Sequence, residues 1–162
     1  MATVASDDYQ SLAELRYQIR KFLHFSEQAA RTARIEPTQH QLLLALKGLP
    51  ENERPTIGVL AERLQIRPHS AVELANRLVR GAFVRRRRDL NNGDGREVLL
   101  DLTAKGEKVL RELSRHHQAE LQHAGPALKA ALEVVLKPSK RARGKAARNR
   151  LSSRKKRTTN VR

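Results

Sequence analysis

Residues 56–88 read TIGVLAERLQIRPHSAVELANRLVRGAFVRRRR, and the fold turns on this stretch. Thr56 stands where a helix cap belongs, and Ile57, Leu60, Ala61 and Leu64 follow it at the spacing of one inward face. After Gln65, Ile66 and Arg67, Pro68 opens a second helix at a first-turn position, where its missing N–H costs nothing. On that helix Ala71, Leu74, Ala75 and Leu78 share one side, which leaves His69, Ser70, Val72, Glu73, Asn76 and Arg77 outside. Two short helices joined by a tight turn, the second apolar behind and polar in front, make a helix-turn-helix pattern.

Working outward, the chain continues as a strand from Phe83 to Arg88 and turns through DLNNGDGR, where Asn92-Gly93 and Asp94-Gly95 are hairpin signals. The return strand, Glu97 to Leu102, alternates with Val98, Leu100 and Leu102 on one side, so the pair reads as a wing. Thr103 then caps a long helix through Val109, Leu110, Leu113, His117 and Leu121. Gly125-Pro126 is expected to interrupt it, with Leu128, Leu132, Val135 and Leu136 on a last helix. Toward the N-terminus, Leu12, Leu15, Ile19, Phe22 and Ala29 form one stripe of a helix over 9–33. Pro37 and Thr38 break the chain, and Gln39 to Lys47 carry Leu42, Leu43 and Leu46. The expected fold is mainly α with a small β-wing, in the order α-α-α-α-β-β-α-α.

Charge narrows the function. The 162 residues hold 33 Lys and Arg against 17 Asp and Glu, a net charge of +16. Residues 138–162 contain eleven of those basic side chains and no acid, leaving the body only about +5. Such an excess favours a polyanion, nucleic acid before a membrane surface, because the tail has no amphipathic apolar face. The tail is expected to be disordered, with Lys140, Arg141, Arg143, Lys145, Arg154, Lys155, Lys156 and Arg157 adding nonspecific phosphate contacts. Residues 1–8 are expected to form a flexible arm.

Other classes are disfavoured by what is missing. Cysteine is absent, which removes disulfides, thiolate ligands and cysteine nucleophiles. Only 3% of residues are aromatic, too few for a base-stacking platform. The longest apolar run, Leu42 to Leu46, is far too short to span a bilayer, and no signal peptide precedes it, so a soluble, cytoplasmic (nucleoid) protein is expected. No Gly-rich phosphate loop, His-Glu-x-x-His or serine elbow suggests an enzyme. Asp7-Asp8 is the one adjacent carboxylate pair, better suited to capping or solvation than to chemistry.

IGVLAERLQIRPHSAVELANRLVRGAFVRRR, followed by DGREVLLDLTAKG, resembles the MarR family of bacterial regulators. The family's wing pattern of Asp-x-Arg, apolar residues and Leu-Thr-x-x-Gly falls here on Asp94, Arg96, Leu102, Thr103 and Gly106. The resemblance covers residues 9–137 and leaves the tail aside. Two departures stand out: Gly81-Ala82 shifts the glycine that often ends the recognition helix, and the wing loop carries both Gly93 and Gly95. The resemblance implies a homodimeric transcription regulator, commonly a repressor, released by a small anionic aromatic effector. No residue pattern here marks an effector pocket. Some relatives sense zinc through histidines and acids. With no Cys and no matching carboxylate spacing, His40, His116, His117 and His123 read as ordinary surface or interface residues, and neither a metal nor a cofactor is expected.

The proposed DNA chemistry follows from geometry. A helix fits the major groove, where each base pair shows its own pattern of donors and acceptors. Arg67, His69, Ser70, Val72, Glu73, Asn76 and Arg77 are the expected readers, with His69 and Ser70 foremost. Glu73 has two readings, an acceptor for a cytosine amino group or a partner for Arg77 at i+4. On the wing, Arg96 suits a narrow minor groove, Asp94 would steady the loop, and only alternate members of Arg85–Arg88 can face the duplex, here Arg86 and Arg88. Leu12, Leu15, Ile19, Phe22, Leu113, Leu121, Leu128 and Leu132, on helices 9–33 and 103–137, are the expected dimer seam. The competing reading is an architectural, nucleoid-compacting protein with little sequence choice.

Overall fold

The computed structural model describes residues 6–88 and 98–137. Among these the order is α1 (Ser6–Thr32), α2 (Pro37–Lys47), α3 (Ile57–Leu64), α4 (Pro68–Arg80), β1 (Val84–Arg88), β2 (Val98–Leu102) and α5 (Ala104–Leu136). The chain is mainly helical with one two-stranded antiparallel sheet, as expected.

The chain divides into two compact units. One runs from Leu23 to Leu121 and is the winged head. Its core joins Leu42, Leu43 and Leu46 of α2 to Leu60 of α3, Leu74 and Leu78 of α4, Val84 and Leu100 of the strands, and Leu110 and Leu113 of α5. Leu113, expected at a dimer seam, is only 2% exposed in this core. It cannot also cover a partner, because its side of α5 is already occupied.

Local chemistry sets the helix ends. Thr56 accepts from the Val59 N–H at 3.3 Å and starts α3. Gln65 takes left-handed φ of 54° and closes α3, with the Ile66 N–H reaching the Ala61 carbonyl at 3.0 Å. α4 buries the four residues expected, Ala71, Leu74, Ala75 and Leu78. α2 begins at Pro37, two residues before the expected start. The ring's fixed φ suits a first helical turn, so this proline opens the helix instead of breaking it. His40 corrects another expectation. It is 2% exposed, stacked on His117 at 4.9 Å between ring centroids, with Phe25 edge-on to His117.

In the sheet, Val84 pairs with Leu102, Arg86 with Leu100 and Arg88 with Val98, so these share one face. Arg85, Arg87, Asp101 and Leu99 share the other. The Leu100 N–H donates to the Pro55 carbonyl at 3.0 Å, binding the segment before α3 to the outer edge of β2.

The second unit contains residues 6–22 and 122–137 among those described. α1 starts at Ser6, so residues 6–8 are helical where an arm was expected; Asp7 and Asp8 lie in the first turn, where carboxylates are favoured by the helix dipole. α5 runs unbroken to Leu136 with Pro126 inside it, where two helices were expected. Proline removes one backbone bond, and the turns on either side keep theirs. In this unit Ala131 is buried while Leu12, Ile19 and Leu132 stay more than 40% exposed. Leu15, Phe22 and Leu128 are half-buried.

Candidate nucleic-acid interface

The polar side of α4 is built by what holds its back. Four buried apolar residues fix the helix against the core, so the opposite side is committed to solvent. Arg67, His69, Val72, Glu73 and Arg77 are exposed there, and Ser70 and Asn76 are half-buried. Arg67 caps the helix through its extended backbone and makes no side-chain cap bond. Among the described residues no ion pair joins Glu73 to Arg77.

Behind α4 a latch fixes its C-terminal end. The Thr103 hydroxyl lies 2.7 Å from the Ala82 carbonyl, to which it donates, and 3.1 Å from that of Phe83. The same oxygen accepts from the Gly106 N–H at 3.1 Å. Lys105 donates to the Gly81 carbonyl at 2.8 Å and lies over the Phe83 ring at 4.3 Å. A β-carbon on Gly106 would sit 2.1 Å from the Phe83 carbonyl oxygen, so only glycine admits this approach. Leu-Thr-x-x-Gly is therefore the joint between α5 and the end of α4.

The arginine strand divides by face. Arg85 and Arg87 flank Asp101 at 3.5 and 3.2 Å. Arg86, on the other face, donates from Nη2 to Asn76 Oδ1 at 2.6 Å. Arg88 is exposed. Sequence reading missed both Asp101 and the Arg86–Asn76 bond. The Arg85–Asp101 register was the available signal for the first, while the second depends on how the sheet meets α4. Asp94 and Arg96 of the wing, and the tail residues from Lys140 to Arg157, lie outside the described residues.

Residues 35–97, which hold α2, the helix-turn-helix of α3 and α4, and β1, match the family model described as the MarR family. Over this segment the chain resembles the MarR family. No curated protein matches the chain by sequence. Solved structures of MarR-type regulators share the fold of the chain. AbsC, a MarR family transcriptional regulator from Streptomyces coelicolor, is 16% identical and superposes with a TM-score of 0.62 over 96% of this chain and 99% of its own. A MarR family protein from Bacillus stearothermophilus is 20% identical, with a TM-score of 0.61 over 96% and 99%. A mutant of S. aureus MepR bound to an oligodeoxyribonucleotide is 20% identical, with a TM-score of 0.57 over 90% and 96%. At these identities the likeness establishes the fold, that of the MarR-family transcription regulators. No helix among the described residues is long and apolar enough to cross a membrane.

Proposed function

We propose that this chain is a sequence-specific, double-stranded DNA-binding regulator, acting as a homodimer on a palindromic operator and serving as a repressor. The observation that carries this reading is α4, whose back is locked by four buried apolar residues while its front offers donors, acceptors and one apolar contact beside an arginine strand. Such a rigid polar helix of groove-fitting size is what direct base readout requires. The oligonucleotide bound by the MepR mutant supports it by analogy of fold.

The homodimer reading rests on the exposed apolar side chains of the second unit. Leu12, Ile19 and Leu132 stand in water in a single chain, together with Tyr9, Tyr17 and Val134, and a second copy would cover them. Release by an effector is supported by a cleft of about 410 Å³ in the head. Leu44, Leu102 and Leu110 give it an apolar floor, and Lys47, Arg111 and Arg115 give it cationic edges. Lys47 is bonded to Glu107 at 2.8 Å and holds that carboxyl below its usual range, so an anionic ligand would compete with Glu107 for the ammonium.

The test is selection of bound fragments from random DNA, using the full chain near physiological salt. Enrichment of a palindrome with half-sites about one helical turn apart is expected. Enrichment without a motif, with affinity collapsing steeply as salt rises, would favour the architectural reading instead.

A further inference from the structure

We propose that Arg86 sets the base preference of the recognition helix by occupying the side-chain carbonyl of Asn76, so that the pair reads guanine and not adenine. This inference rests on the DNA-binding reading above and adds to it a chemical rule for one position in each half-site.

A free asparagine reads adenine by using both ends of its amide: the oxygen accepts from the N6 amino group while the nitrogen donates to N7. In this molecule the oxygen is already taken. Arg86 Nη2 donates to Asn76 Oδ1 at 2.6 Å, a short charge-assisted bond. The amide oxygen has a second lone pair, but the guanidinium beside it places positive charge where an incoming adenine amino group would also bring positive hydrogens. What the pair still offers outward is the two N–H bonds of Asn76 Nδ2 and the unused N–H bonds of Arg86. That is a surface of donors only. Guanine shows two acceptors in the major groove, N7 and O6, and adenine shows one acceptor beside a donor.

The placement favours this role over a chance contact. Arg86 lies on the β1 face shared with Val84, which is buried against the head core, so the strand is anchored two residues from the bond. Asn76 is half-buried one turn before the end of α4, where the Thr103 latch holds the helix. The neighbouring Arg85 and Arg87 are turned to Asp101 on the opposite face and do not compete for the amide.

The experiment repeats the random-DNA selection with the unsubstituted chain, Arg86→Ala and Asn76→Ala. It then measures affinities on the enriched site carrying either G·C or A·T at the position that responds. The unsubstituted chain is expected to prefer guanine there. Arg86→Ala frees the amide oxygen and should turn the preference to adenine, changing the ratio of the two affinities by about tenfold with the rest of the motif intact. Asn76→Ala should flatten the preference at the same position. An Arg86→Ala motif identical to the original, with binding weakened equally on both sites, would make Arg86 a phosphate contact and overturn the proposal. So would an unsubstituted chain that prefers adenine through Asn76. If the unsubstituted chain enriches no motif at all, the regulator reading itself falls and the base-preference rule falls with it.

Discussion

Ala82 occupies a backbone position that suits glycine, with φ of 55°, while Gly81 before it has φ of −75°. The displaced glycine noted in the sequence is thereby explained. Gly81 is needed for room, since a β-carbon there would lie 2.8 Å from the Phe83 ring, and the left-handed turn falls to alanine. Ala82→Gly should therefore stabilise the protein, by about 1 kcal/mol once the greater freedom of glycine in the unfolded chain is set against the relieved strain. Chemical denaturation midpoints would read this, and an unchanged or lowered midpoint would refute it. Gly106→Ala should do the reverse and cost about 2–3 kcal/mol, because the obstacle is backbone and cannot rotate away. His40 gives a third prediction. Burial first, and then the facing His117, lower its pKa from 6.5 to about 4. The unfolded chain takes up this proton before the folded one does, so stability is full above about pH 6.5, declines toward pH 4 and levels off below. His40→Leu should remove that share of the decline, and parallel stability–pH curves for the two proteins would refute the assignment. The burial of His40 was not legible in the sequence. A histidine beside three leucines has no period of its own, and only the packing of α2 on α5 puts it inside.

Elements were more legible than their ends. α3 and α4 follow from Thr56, Pro68 and two apolar faces, because cap chemistry and periodicity agree there, and no tertiary contact overrides them. The start of α2 and the continuity of α5 were misjudged for one shared reason, that proline carries two meanings. Pro37 opens a helix, and Pro126 sits within one without ending it. Sequence alone does not say whether neighbouring turns will hold across a proline; the answer depends on what each side of the helix buries. Ala131 is buried five residues beyond Pro126, and that packing gives the C-terminal turns a reason to continue. The helix nevertheless loses a bond at Pro126, which is exposed. Pro126→Ala should restore it and raise stability by about 1–3 kcal/mol without altering affinity for DNA. Thermal unfolding followed by circular dichroism would test this, and a lower melting temperature would show that the proline shapes the helix usefully. The site was legible to the same depth as the elements. The outward residues of α4 could be named from spacing, but Asp101 between two arginines and the bond from Arg86 to Asn76 required knowing which strand faces which helix.

For the whole molecule, the proposed dimer and the basic tail make separable demands on DNA binding. The dimer would supply symmetry and hence the palindrome, while the tail would supply charge without sequence. Ile19→Glu with Leu132→Glu would place carboxylates among exposed apolar side chains of the second unit, leaving the head core untouched. Sedimentation equilibrium should then show a monomer, and DNA affinity should fall by more than about tenfold as one half-site is lost. A dimer that survives both changes would move the seam elsewhere. Truncation after Lys137 removes eleven positive charges and no acid. If all eleven met phosphate, the slope of log affinity against log salt would become shallower by about 10, and any smaller change would measure how many do. The selected motif should stay the same, since the proposal assigns base edges to the head. If truncation altered neither slope nor affinity, the tail would be a solvated appendage. If it erased the motif, the tail would be taking part in site choice, and the division between a reading head and a charged arm would be wrong.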